Sequence, residues 1–204
     1  MKLYGNFVSP FFRMCVVTAI EAGIIGRMQL VDTEVKPGEV NASLEKLSPI
    51  GKIPVLETDH HRTIYDSRVI MEYLLHVSGN KSLLPDDGVK RFRILTLLAL
   101  AQGLGDAAVG LRYELAARPE GTRWQEWAER ARARLNAGLD DLDRNWAPLL
   151  ADLNLGSIAT AVVLSYIDHR HEALSWRKTR PGLAAFHAGF LERPSMTETS
   201  LSKA

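Results

Sequence analysis

At 204 residues with 46% apolar content, the chain is long enough to bury one large core or two small ones. Its 25 basic and 24 acidic residues leave a formal charge of +1 and no basic block to neutralise phosphates, so nucleic acid is not an expected partner. A single cysteine, Cys15, excludes an internal disulfide; the start MKLYGNFVSPFFRM has no apolar run ahead of a small-residue cleavage site and no run approaches the length of a bilayer span, so a cytoplasmic protein without membrane contact is expected.

Before residue 80, short β-like runs alternate with helical patterns. KLYG reads as a strand, residues 11–22 as an apolar helix, MQLVD, IPVLET and RTIY as strands, and residues 67–77 as an amphipathic helix. A short helix falls between MQLVD and IPVLET, which gives the order β-α-β-α-β-β-α. The turn-rich SGNKSLLPDDG follows, and beyond it every pattern is helical. The expected organisation is an α/β domain over 1–78, a linker over 79–87 and an all-α domain over 88–204. In that second part, ILTLLALAQGLGDAAVGL is apolar almost all round, as a helix buried between neighbours would be, and Gly103, Gly105 and Gly110 would allow close approach. Thr122 and Gln125 have capping-box spacing ahead of a stripe of Trp124, Trp127, Ala131, Leu135, Leu139, Leu142 and Trp146, which reads as core. SIATAVVLSYI reads as a central helix capped by the Ser157 hydroxyl.

Three features of the first part could build one site. Ser9-Pro10 stands between KLYG and the first helix, where a hydroxyl and free N–H groups favour an anion. Pro54 in GKIPVLET cannot donate a ladder bond, which leaves the adjacent backbone of Ile53 open to an extended ligand. Asp66-Ser67 opens another helix, with donors that suit a carboxylate and an acid that suits an amine. Together these describe a zwitterionic, peptide-like ligand carrying a thiol. Cys15 lies more than a turn inside the first helix and reads as a small buried hydrophobe. The chain has Ser9 and Phe12 where a dithiol oxidoreductase would need cysteines, and the G-x-S-x-G elbow of a serine nucleophile is absent. His169 and His171 point to different helix faces and His60-His61 falls in a turn, so no metal site is expected.

SPFFR, SPIGKIPVL, YDSRVIMEYL, SIAT and RPGLAAFHAGFLERPS, in this order, make the chain resemble the cytosolic glutathione transferases over essentially its whole length, and in particular a bacterial branch with serine in the active-site turn. The resemblance implies a thioredoxin-like N-terminal domain followed by an all-helical one. It implies that Pro54 is cis, that Ile53 pairs its backbone with the cysteinyl part of glutathione, and that Asp66 and Ser67 hold the γ-glutamyl end. Ser9, with backbone donors near Phe11, would face the sulfur, and Lys52 would reach the glycine carboxylate. Arg112, Tyr113 and Trp176 are the candidates for a second-substrate pocket in the helical domain. The family's third motif carries Glu or Gln where this chain has Asp66, and its helix motif ends in Asp where this chain has Thr160. The implied activity is transfer of glutathione, as co-substrate and without metal, to a small electrophile in a homodimer serving detoxification. The alternatives left open are a glutathione- or partner-binding module with little turnover, and a glutathione-dependent isomerase or dehalogenase.

Overall fold

Residues 1–201 are described by the computed structural model, and the first of them alternate strand and helix as their patterning requires. β1 (Lys2–Gly5), α1 (Pro10–Glu21), β2 (Gln29–Asp32), α2 (Ala42–Leu47), β3 (Val55–Glu57), β4 (Thr63–Ile64) and α3 (Ser67–Ser78) follow in turn. The sheet order is β2-β1-β3-β4, with β1 parallel to β2 and antiparallel to β3, and β3 antiparallel to β4. This is a thioredoxin-like unit. Its core is Leu3, Val55 and Leu56 of the sheet with Phe12, Met14, Val16 and Val17 of α1 and Ile70, Met71 and Leu74 of α3. α3 ends because Gly79, at φ 70°, takes the left-handed conformation that a side chain would resist.

The boundary between the two units falls between Leu84 and Pro85, and residues 194–201 join the first unit instead of the helical one. Buried Arg13 is the reason. Its Nε donates to Thr199 Oγ1 at 3.1 Å and its Nη2 to the Met196 carbonyl at 3.1 Å, beside α9 (Pro194–Glu198). Ser195 Oγ donates to Glu21 Oε1 at the other end of α1. Burial pulls the Arg13 guanidinium down to about 10, still charged at neutral pH.

The helical unit is built on α4 (Gly88–Arg112), which runs into one π turn at Tyr113–Ala117. α5 (Gln125–Asn145), α6 (Ala147–Leu150), α7 (Leu155–Arg170) and α8 (Pro181–Leu191) complete it. α4 packs chiefly on α7 and then on α5. Gly88–Ala117 is long and apolar enough in composition to cross a bilayer, where the sequence suggested no such run; half of its most apolar stretch is buried inside the structure, as suits a central helix. The close approaches match those expected only in part: a Cβ at Gly110 would stand 3.1 Å from Trp127 Cη2 of α5. A Cβ at Gly103 would meet nothing within 4 Å, whereas one at Gly138 would stand 2.5 Å from Leu104 Cδ2 and one at Gly156 2.7 Å from Leu97 Cγ. The glycines that admit α4 thus lie on its neighbours as well as at Gly110 of α4 itself.

Two caps also differ. Thr122 turns its hydroxyl back to the Pro119 carbonyl, and α5 begins after Trp124, whose N–H is taken by the carboxylate of Glu114 at 2.5 Å. Trp124 is 63% exposed, so the expected stripe is core only from Ala131 through Leu142. α7 is capped by Asn154 and not by Ser157: Asn154 Oδ1 accepts the Ser157 N–H at 3.0 Å, and Ser157 Oγ accepts the Asn154 N–H at 2.9 Å. This capping box needs no carboxylate at position 160.

Candidate functional site

The turn after β1 is held by Asn6, whose role no local sequence pattern announced beyond an Asx residue ahead of Ser-Pro. Its Nδ2 donates to the Thr33 carbonyl at 3.0 Å, while its own carbonyl and Oδ1 accept the Ser9 N–H at 3.1 and 3.2 Å. Gly5 allows the fold back onto α1: a Cβ there would lie 2.3 Å from Phe12 Cδ2. Ser9 is the N-cap of α1, and Pro10 supplies the first helical residue, where a missing N–H costs nothing. Ser9 Oγ accepts the Phe12 N–H at 3.3 Å. A hydroxyl that accepts one bond keeps its own proton to donate. Among the described residues the Phe11 N–H, also at the helix mouth, has no partner. Two donors therefore remain at a helix N-terminus, on half-buried residues.

Register brings the other groups to the same end of the sheet. Tyr4 pairs with Val55 across the β1–β3 ladder, so the chain leaving β1 toward Ser9 and the chain entering β3 through Ile53–Pro54 lie side by side. That peptide bond is cis. The Ile53 backbone has no hydrogen bond among the described residues. Leu56 pairs with Ile64 across β3–β4, and continuing that register sets Asp66 opposite Pro54. The Tyr65–Asp66 bond is also cis. Asp66 caps α3, its Oδ1 accepting the Arg68 N–H at 3.0 Å, and the residue is exposed, which leaves carboxylate oxygen to meet a cation. Ser67 is buried directly behind it. Lys52 is exposed and makes no ion pair among the described residues.

Cys15 takes no part in this surface. It is 0% exposed, its Sγ points to the Ser67 carbonyl at 3.7 Å, and burial, aided by the Asp66 charge, pushes its thiol well above the ordinary value. A thiol held protonated there is not a nucleophile. A concavity of about 250 Å³ beside α2, lined by Glu34, Lys36, Glu39 and Asn41 among others, includes none of the site residues.

In the helical unit, Arg112 and Tyr113 lie where α4 passes into its π turn, Arg112 half-buried and Tyr113 exposed. Trp176 is 2% exposed, with Nε1 donating to Asp168 Oδ1 at 2.8 Å, and so belongs to the core instead of a pocket. Ser165, His187 and Asp168 imitate a hydrolase triad. However, His187 Nδ1 faces Arg177 Nη2 at 2.6 Å and must accept from it, which puts the ring proton on Nε2, toward Ser165 Oγ at 3.0 Å and the Ala161 carbonyl at 3.1 Å. A ring so protonated cannot take the serine proton. Among the described residues no cluster of His, Cys, Asp or Glu could hold a metal ion.

Comparison with known proteins supplies independent findings. Residues 8–77 match the glutathione S-transferase N-terminal domain and residues 125–189 the glutathione S-transferase C-terminal domain. An uncharacterised GST-like protein of Escherichia coli K12, YibF, is 31% identical over 208 residues, spanning the whole of both chains. A glutathione transferase family member from Pseudomonas fluorescens Pf-5, solved with bound glutathione, is 38% identical with a TM-score of 0.95 over 97% of each chain. A structure of a family member from the same organism with bound S-(propanoic acid)-glutathione gives 37% identity and a TM-score of 0.90 over 98% of each chain.

Proposed function

The chain belongs to the glutathione S-transferase family, and on that premise we propose that it is a serine-type transferase whose first unit binds glutathione and activates its thiol for attack on a small electrophile. One observation carries the reading: Ser9 accepts the Phe12 N–H and so retains a free O–H at the mouth of α1, beside the unpartnered Phe11 N–H. Two donors with no acceptor stabilise a thiolate over a thiol.

The other groups complete a peptide-shaped ligand. The Ile53 backbone pairs with the cysteinyl N–H and C=O as one more strand would, since Pro54 and the end of β3 leave it unsatisfied. Asp66 meets the γ-glutamyl ammonium, its shorter side chain placed at the very start of α3, while Ser67 and the first N–H groups of that helix take the adjoining carboxylate. Lys52 meets the glycine carboxylate. The helical unit provides Arg112 and Tyr113 to the second substrate. In the reaction the thiol proton passes to solvent, the sulfur–carbon bond forms, and either a leaving anion departs or, in an addition, the neighbouring carbon takes a proton. That the Pseudomonas fluorescens relatives bind glutathione and a glutathione carrying a propanoic acid supports both the co-substrate and conjugation at sulfur.

The test is a panel of electrophiles with product mass detection, run alongside glutathione binding. Conjugates formed by the wild type and lost in Ser9→Ala, with glutathione still bound, are expected. Tight glutathione binding with neither conjugate nor thiolate absorbance would replace the transferase by a binding module.

A further inference from the structure

Arg13 carries a charge into the first unit that meets no counter-charge there. The residue is 2% exposed on α1, and its guanidinium is met by neutral groups: Thr199 Oγ1 at Nε, the Met196 carbonyl at Nη2 and, at 3.9 Å, the Met196 thioether. No carboxylate reaches it among the described residues. The elements packed against α1 are α3, α9 and the turn over Ile25–Arg27. Asp66, Arg68, Glu72, Tyr73 and His76 are the ionisable groups at and along α3. Glu198 lies on α9, Arg27 in the turn, and Cys15 and Glu21 on α1 itself. Asp66 caps α3 and acts on Cys15, Arg27 donates to the Val77 carbonyl, and Glu21 accepts from Ser195. The titration of Arg13 answers to burial and to none of them.

The contacts alone do not call for this charge. A neutral amide could donate to a hydroxyl or a carbonyl, whereas burying a cation without an anion costs stability. Its position gives the charge a use. The Arg13 N–H bonds the Ser9 carbonyl at 3.0 Å, so the two residues stand one turn apart on the same side of α1, about 6 Å along its axis, and helical side chains lean toward the N-terminus. Ser195 meets Glu21 and Thr199 meets Arg13, so residues 195–199 run against α1 in the opposite sense and grip the guanidinium at the end nearer the helix mouth. The Thr199 hydroxyl spends its proton on the Ser195 carbonyl at 2.7 Å, which turns a lone pair to Nε.

We propose that the Arg13 guanidinium, held by residues 196–199 and left without a carboxylate, supplies a positive charge beneath the mouth of α1 that favours an anion at Ser9, and that the thiolate of bound glutathione is that anion. The second clause rests on the transferase reading; the first stands without it. A unit charge about 10 Å away, at an effective dielectric constant of about 20, moves a thiol by about one pH unit, comparable with the share of the Ser9 hydroxyl. Arg13 touches no substrate and acts through the field it sets at the turn.

The full chain carrying Ser9→Cys tests the charge without any ligand, because the new thiol stands where the anion would and Cys15 is sealed from reagent. Its pKa is read from the pH dependence of alkylation by iodoacetamide, followed by mass. Adding Arg13→Gln should raise that pKa by about one unit, and adding Arg13→Lys, which keeps the charge and loses the fork, should leave it within about 0.3 unit. Thr199→Asp keeps the arginine and supplies the missing carboxylate, so it should also raise the thiol by about one unit, and it decides the matter if Arg13→Gln does not fold. An unmoved thiol in Arg13→Gln, or in Thr199→Asp where the former does not fold, overturns the proposal. An equal rise in Arg13→Lys and Arg13→Gln overturns it too, since the residue would then act as a clamp and not as a charge. With Ser9 restored, thiolate absorbance at saturating glutathione should show the same rise in Arg13→Gln. A bound thiol that stays put while the reporter at position 9 moves, or no bound thiolate in the wild type, overturns the transferase reading of Ser9 and leaves the charge at the helix mouth established by the reporter.

Discussion

Replacing Ser9 by alanine removes one donor from the helix mouth and little else. Asn6 still braces the turn through Thr33, and Pro10 still starts α1, so the loss of the Phe12 cap bond costs about 1 kcal/mol of stability and not the fold. A free thiol titrates near 8.5, and about 1.4 kcal/mol of preferential stabilisation lowers it by one unit. A hydroxyl bond to a charged acceptor supplies about 1.5–3 kcal/mol, and the helix N-terminus about 0.3–1. Bound glutathione should therefore ionise about two units below the free thiol in the wild type and within about one unit of it in Ser9→Ala. The donor favours the deprotonated form, so activity below the wild-type value is lost in proportion to the thiolate and regained as pH rises through the higher pKa of the variant. At pH 6.5 this predicts a fall in kcat of about five- to fiftyfold that shrinks toward pH 9. Thiolate absorbance titrated in the presence of saturating glutathione measures the pKa, and the pH profile of kcat measures its consequence. One thiol pKa shared by both proteins would refute the reasoning and pass the role to the Phe11 N–H.

Cys15→Ala should keep full conjugating activity and lose roughly 1 kcal/mol of stability, and in the wild type a thiol reagent should modify the residue only on unfolding; abolished turnover in a folded variant would return a thiol-exchange mechanism. Asn154→Ala should destabilise the chain by about 2 kcal/mol or more, because it removes the α7 cap and also the donor to the Leu149 and Asp152 carbonyls, as read from the denaturant midpoint. A loss under about 0.5 kcal/mol would show that the box at Asn154 and Ser157 is not what starts the helix. A homodimer is expected from the family and from the exposed apolar side chains Val89 and Phe92 along α4, so sedimentation should give twice the chain mass; a monomer at high micromolar concentration that still binds glutathione would reject it.

What the sequence made legible followed the range over which each signal acts. Strand and helix order in the first unit was readable because alternation and 3.6-residue periodicity are properties of the segment itself. The site residues share that advantage, since Ser9, Ile53–Pro54 and Asp66–Ser67 each sit at a boundary that their own chemistry creates. Long-range partners left no such trace. Nothing near Arg13 indicates that its guanidinium reaches Thr199, and nothing near Trp124 indicates that Glu114 caps its helix. The α7 cap was misplaced for a related reason. Ser157 opens the apolar run, but the first ladder bond reaches back to Asn154, two residues before Gly156 packs against Leu97.

Ser9 and Cys15 show how far depth alone decides chemistry within one helix. Both are small groups that can hydrogen-bond, and both lie on or at the start of α1. At the cap, Ser9 stands among backbone donors that the helix cannot satisfy, and the local field favours negative charge. Six residues on, Cys15 is sealed between α1 and the start of α3, where burial opposes ionisation and Asp66 opposes it further. An intrinsically acidic thiol is thereby silenced, while in the proposed function a hydroxyl too weak an acid to ionise itself stabilises an anion brought from outside. Exchanging the two surroundings would exchange the roles: in the Ser9→Cys variant the new thiol should titrate below the ordinary cysteine value, whereas Cys15 in the same chain stays protonated.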